Sequence, residues 1–128
     1  MPRQPRVLFV AGDGLTRSFV SGWLEMYGYR TTTACDGAEA TALLESDWDF
    51  AVLIVEAERG GALDGLAVAR IARKLNPDIG VLYTARMPHA LQKSAMVHDA
   101  LCLRLPHRPE QMLALLKQLS QSARGAAH

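Results

Sequence analysis

The chain has 128 residues, a formal net charge of +1, 49% apolar and 21% charged side chains. That length fits one domain able to bury roughly 65–70% of its unfolded surface. The near-neutral charge gives no electrostatic basis for binding nucleic acid or anionic membranes, and no apolar run approaches the roughly 18 residues of a membrane span.

"MPRQPR" is not followed by a signal-like apolar stretch, and the expected location is the cytoplasm. "RVLFVA" (6–11) is an apolar run of strand length. "LTRSFVSGWLEMYG" (15–28) reads as a helix with Leu15, Phe19, Trp23 and Met26 on its core face, closed by Gly28. "YRTTTA" (29–34) is β-branched and predicts a strand. "DGAEATALLES" (36–46) begins with Asp36 as N-cap and Glu39 three residues later, the pattern of a capping box. "FAVLIV" (50–55) reads as a central strand buried on both faces. A loop (56–65) with paired glycines leads to a helix over 65–75 that places Val68, Ile71, Ala72 and Leu75 on its core face. "IGVLYTA" (79–85) is a strand, 89–98 carries a weak helical stripe, and "LCLRL" (101–105) is a short strand meeting Pro106. A last helix over 109–121 starts with Pro109 and aligns Met112, Leu115, Leu116 and Leu119. The small, polar residues 122–128 are expected to form a flexible tail.

These are five β-α units on one domain of 1–128, with a core of about 6–121. Alternation with short connections predicts a parallel sheet covered by helices on both faces. In such sheets the site forms at the carboxyl ends of the strands, near the topological switch point. The segments Ala11 to Asp13, Glu56 to Glu58, Thr84 to Arg86 and Leu105 to Arg108 therefore hold the candidate functional residues.

The order and punctuation of these elements resemble the receiver domain of bacterial two-component response regulators. "GYRTTTACDGAEATALL" (28–44), "LDGLAVARIARKLNPDIGVLYTA" (63–85) and "LRLPHRPEQMLALL" (103–116) carry the resemblance. It implies a flavodoxin-like doubly wound α/β fold, (βα)5, with a five-stranded parallel sheet of order 2-1-3-4-5. It also implies two magnesium-binding acids after the first strand and a phosphate-accepting Asp after the third. A hydroxyl follows the fourth strand, and a Lys precedes the Pro after the fifth. An attacking carboxylate needs a cation to offset the charge of the phosphoryl group, and the hydroxyl and ammonium bind its oxygens.

Position by position, Ala11 and Gly12 fall on the metal-binding acids, and Asp13 follows them. Glu56 falls on the phosphoacceptor, Thr84 on the hydroxyl, Leu105 on the Lys and Cys102 on a switching aromatic. Only Thr84 keeps its chemistry. Ala11 and Gly12 offer no side-chain oxygen to a hard cation. The expectation is a degenerate pseudo-receiver with no cofactor, no metal and no catalytic residue. It would act in phosphorelay signalling by protein–protein contact, without conventional Asp phosphorylation. Glu56 would stand in for a phosphorylated Asp, with Arg59, Arg86 and Arg108 on the rim as charge partners in place of the Lys.

The resemblance implies a sensor histidine kinase, another signalling protein or a second copy as partner. The contact face would be the fourth helix, fifth strand and fifth helix. Two rivals stay open: a receiver still phosphorylated at an unconventional acid, and a flavodoxin-like binder of a small ligand. Cys35 and Cys102 form no CxxC pair. His89, His98 and His107 lack metal-ligand spacing, and Gly12-Asp13-Gly14 lacks the third glycine of a dinucleotide fingerprint.

Overall fold

Runs of apolar and β-branched residues form five strands: β1 (Arg6–Val10), β2 (Arg30–Ala34), β3 (Val52–Glu56), β4 (Gly80–Ala85) and β5 (Leu101–Arg104). Four α-helices connect or follow them: α1 (Gly14–Met26), α2 (Gly37–Ser46), α3 (Gly65–Leu75) and α4 (Pro109–Ala126). The computed structural model describes residues 4–47, 49–57 and 64–126. The strands are all parallel, in the order β2-β1-β3-β4-β5. This is the flavodoxin-like arrangement expected from the sequence.

β3 lies at the centre, and Val52, Leu53, Ile54 and Val55 are all fully buried. Strand side chains alternate between faces, so they divide the core in two. Leu8, Val10, Leu53, Val55, Val81 and Tyr83 pack with α2 and α3 residues such as Leu44, Ala69 and Ala72. Val7, Phe9, Val52, Ile54 and Leu82 pack with Val20 and Leu24 of α1 and Met112 and Leu116 of α4. Each buried Val, Leu or Ile contributes roughly 1.5–3 kcal/mol relative to exposure.

Aspartates start three of the helices. Asp13, Asp36 and Asp64 accept the amides of Thr16, Glu39 and Ala67 at 2.8, 2.8 and 3.2 Å. Glu39 returns its carboxylate to the amide of Cys35 at 2.7 Å, one residue before the Asp36 cap, so the capping-box-like start on α2 is present in a shifted form. Gly28 follows α1 with φ +94, the left-handed conformation that ends a helix without steric conflict.

Two expectations are corrected. On α1 the core face is Val20 and Leu24, while Leu15, Phe19 and Met26 are 82, 73 and 82% exposed. The helix carries two apolar stripes on opposite sides; of the residues expected on the core face, Trp23 does pack, partly buried, against the core of Val20 and Leu24. The second correction concerns 89–98, which form no α-helix but two short 3-10 turns, Pro88–Ala90 and Lys93–Ala95. Leu91, Met96, Val97 and Ala100 all pack on the α2/α3-side core. Their spacing fits no single helical stripe, so the chain turns to bring each one down. Elsewhere the readings on α3 and α4 hold in part: Val68 and Ala72 are buried, Leu75 is at the surface, and Met112, Leu116 and Leu119 are buried. α4 continues past residue 121 to Ala126.

Gly65 fixes how α3 meets the sheet. A Cβ built there would lie 1.9 Å from the carbonyl oxygen of Glu56 and 3.1 Å from the Cα of Ala57. Only glycine allows the helix start to approach the end of β3 this closely. Gly65→Ala should therefore destabilise the domain by about 1–3 kcal/mol in urea unfolding. Gly12→Ala, where a Cβ meets nothing within 4 Å, should stay within about 0.5 kcal/mol of the parent.

Candidate functional site

The carboxyl ends of β1, β3, β4 and β5 converge on the expected crevice. Val10 pairs with Val55, Glu56 with Thr84 and Ala85 with Arg104. By strand alternation Ala11, Glu56 and Thr84 share the face that packs on α1 and α4. Ala11 is fully buried in that core and Thr84 is 3% exposed. Gly12 is exposed and Glu56 half-buried.

Glu56 is anchored across the crevice. The backbone N–H of Gly12 donates to its Oε1 at 3.0 Å, so the carboxylate holds the turn between β1 and α1. Asp13 turns the other way: its Oδ2 accepts the amide of Thr16 at 2.8 Å and the Thr16 hydroxyl at 2.7 Å. The two nearby acids thus serve separate structural contacts rather than one shared site. Arg17 was not singled out from sequence. Its Nη1 donates to the carbonyl of Ala11 at 2.7 Å, bringing a guanidinium to the end of β1. Its position four residues after Asp13, in the first turns of α1, was the available signal.

Leu105 is half-buried beside the crevice, its amide donating to the carbonyl of Ala85 at 2.8 Å, and the peptide bond to Pro106 is cis. Arg86 and Arg108 are exposed at the ends of β4 and ahead of α4. Arg59 and Glu58 lie outside the described residues. Cys102 is in register with Tyr83 and packs on the α2/α3-side core, whereas Thr84 is in register with Leu103. The two positions read as switches therefore face opposite sides of the sheet.

The residues do not fit a divalent cation. Ala11 and Gly12 present no side-chain oxygen, Asp13 caps α1, and Glu56 is tied to Gly12. Among the described residues no group of three or more His, Cys, Asp or Glu side chains converges on a point.

Tyr83 is a second residue that the sequence did not single out. It is fully buried, and its hydroxyl accepts the amide of Val97 at 3.1 Å. Arg70 and Arg73 of α3 donate to the carbonyls of Ala95 and His98 at 3.0 and 2.9 Å. These three side chains fasten the segment that lacks a helix. An open groove of about 780 Å³ lies between α3 and this segment, away from the strand ends, lined by Arg70, Ile71, Arg73, Met96, Val97 and others.

Comparison with solved structures identifies the fold. The chain superposes on a response regulator receiver protein from Sinorhizobium medicae with TM-score 0.85 and 22% identity, covering 93% of this chain and 96% of that one. A CheY-like receiver domain protein from Methanospirillum hungatei gives TM-score 0.82 and 19% identity over 95 and 98% of the two chains. The chemotaxis protein CheY4 of Vibrio cholerae gives TM-score 0.79 and 26% identity over 91 and 98%. No family model matches the sequence, and no curated protein matches it. The fold is that of the CheY-like response regulator receiver domain. Among the described residues, no helix is long and apolar enough to cross a membrane.

The Thr16 hydroxyl, and after it the Thr16 amide, hold the Asp13 carboxyl below its ordinary value of 3.8, against a small opposing effect of burial. A carboxyl whose folded pKa lies below its unfolded one adds stability above the unfolded value and loses it as pH falls through the folded value. NMR titration of Asp13 should give a midpoint below 3.8. Asp13→Asn still caps the helix and should flatten the acid limb of the melting-temperature profile. An unchanged acid limb in that variant would assign the pH dependence to another group.

Proposed function

We propose that this receiver-fold chain is an atypical receiver that signals through protein contacts and does not use conventional Asp phosphorylation. The observation that supports this reading most is the donor set at the strand ends. Two positions where the chemistry needs metal-binding acids are Ala11 and Gly12, and the position of the ammonium is Leu105. At the phosphoacceptor position, Glu56 carries a fixed negative charge already engaged by the Gly12 amide at 3.0 Å.

In this reading Glu56 does permanently what a phosphoryl group does transiently: it places negative charge at the end of β3 and holds the β1–α1 turn. Thr84, opposite Glu56 in the register, is the residue placed to sense that charge. Arg17, Arg86 and Arg108 supply positive charge around the rim. The partners are signalling proteins of the kind that receivers serve, a sensor kinase among them, and the setting is the cytoplasm. The contact face is the 87–100 segment with β5 and α4, its first part built from 3-10 turns rather than the expected fourth helix. Receiver domains are generally signalling modules rather than enzymes, and no catalytic role is assigned to this chain.

The test uses a small phosphodonor. Incubated with acetyl phosphate and magnesium, the parent protein should gain no phosphate-sized mass. Glu56→Asp alone should also stay unlabelled, because the cation ligands and the ammonium are still missing. Each such electrostatic partner is worth about 3–4 kcal/mol in a transition state, or two to three powers of ten in rate. Restoring them is sterically open at Gly12, where a Cβ meets nothing within 4 Å, whereas an Asp at the fully buried Ala11 would bury a charge. The combination Gly12→Asp, Glu56→Asp and Leu105→Lys should therefore label. Ready labelling of the parent protein would sink the proposal in favour of phosphorylation at an unconventional acid.

A further inference from the structure

The groove between α3 and the 87–100 segment gathers positive charge over an apolar floor. Ala67, Arg70, Ile71 and Lys74 follow one another at i, i+3, i+4 and i+7 on one face of α3. Met96 and Val97 line the opposite wall. The volume, about 780 Å³, lies within the roughly 300–1,000 Å³ of small-molecule sites. Among the described residues no acid lines it.

Its cations lack a counter-charge. Among the described residues no carboxylate lies within ion-pair distance of Arg70, Arg73 or Lys74. The other basic residue on the rim, His98, is engaged: its Nδ1 lies 3.0 Å from Oδ2 of Asp99. Arg73 and Lys74 offset the negative end of the α3 dipole, but Arg70 stands further in. Like charges at its i+3 and i+4 positions disfavour the helix, so α3 alone does not explain the cluster.

Fastening the segment does not use these side chains up. Arg70 and Arg73 each give Nη1 to one carbonyl, of Ala95 and of His98, and a guanidinium has five N–H donors. The Arg73 Nε is buried and has no acceptor among the described residues, so the bonding of that guanidinium is incomplete in the chain alone. Bonded to the opposite wall, both heads are held at the groove, and little further ordering is needed to bind there. Lys74 is exposed one turn beyond Arg70.

We propose that this groove binds a small organic anion. Its apolar body lies on Ile71, Met96 and Val97, and its oxyanion head, a carboxylate or a phosphate, lies among Arg70, Arg73 and Lys74. The floor alone would admit any apolar body, and the cations without a counter-charge select the sign of the head. The inference is independent of the functional reading above, since no residue of the crevice lines the groove.

NMR titration of the full chain with n-decanoate and with n-decyl phosphate tests this, with n-decylammonium as the control of equal length and opposite charge. At least one anion should saturate with a dissociation constant of about 1 mM or tighter, shifting the amides of Ala67, Ile71, Met96 and Val97. The tighter of the two identifies the head. Decylammonium should bind at least about 10-fold more weakly. Lys74→Glu should weaken the anion about 5-fold or more, with a melting temperature within a few degrees of the parent's. Arg70→Gln should weaken it similarly. Four results would each overturn the proposal: no saturation by either anion up to about 10 mM, shifts centred on the crevice, unchanged anion affinity in both variants, or decylammonium binding equal to the anions. The last would make the groove an apolar contact for a protein segment.

Discussion

The contact between Gly65 and the backbone of Glu56 sets the position of most of what surrounds it. β3 is the central strand, and α3 starts directly against its end because residue 65 has no side chain. That approach brings Ala69 and Ala72 onto the sheet, both fully buried. Their small size keeps the helix close along its length. The same placement carries Arg70 and Arg73 to the carbonyls of Ala95 and His98. A single missing Cβ thus governs the end of the central strand, the helix seated there and the segment beyond it.

Three polar side chains around the crevice make bonds that belong to the fold. Glu56 holds an amide, Asp13 holds a helix start, and Arg17 holds a carbonyl. A reactive carboxylate needs lone pairs open to a cation and to an incoming group. A carboxylate that fastens a turn has a different use: it makes the turn's position depend on a charge. The crevice has the strand-end geometry of the receiver fold, and three of its polar side chains each make a bond that fastens the fold locally.

Much of the architecture was legible because it rests on short-range chemistry. The strand runs, the Asp36–Glu39 cap and Gly28 act through neighbours in sequence, and each appears as read. The pairing of Glu56 with Thr84 was not read from the sequence; it is fixed by the β3–β4 register. The core face of α1 was misread because periodicity finds a stripe without saying which way it faces, and this helix has two. The 87–100 segment was misread because what shapes it is distant in sequence: Tyr83, Arg70 and Arg73 reach it from β4 and α3. Arg17 escaped notice for a related reason: its spacing from Asp13 marks the helix start, but the Ala11 carbonyl that it reaches is set by the fold.

The 87–100 segment also differs from the sheet in what holds it. Within it the amides of Ala90, Leu91, Ala95 and Met96 each close a single turn. Among its attachments to the rest are two guanidinium tips, one phenol and several apolar side chains. Releasing it breaks no hydrogen bond between β1, β2, β3 and β4, so opening there requires much less free energy than dissolving the sheet. What lies beneath it is the Tyr83 ring, the largest fully buried side chain among the described residues. The two parts of the domain are thus joined in different ways, the strands by backbone ladders and this segment by side-chain tips, and the tyrosine beneath it is where the two meet.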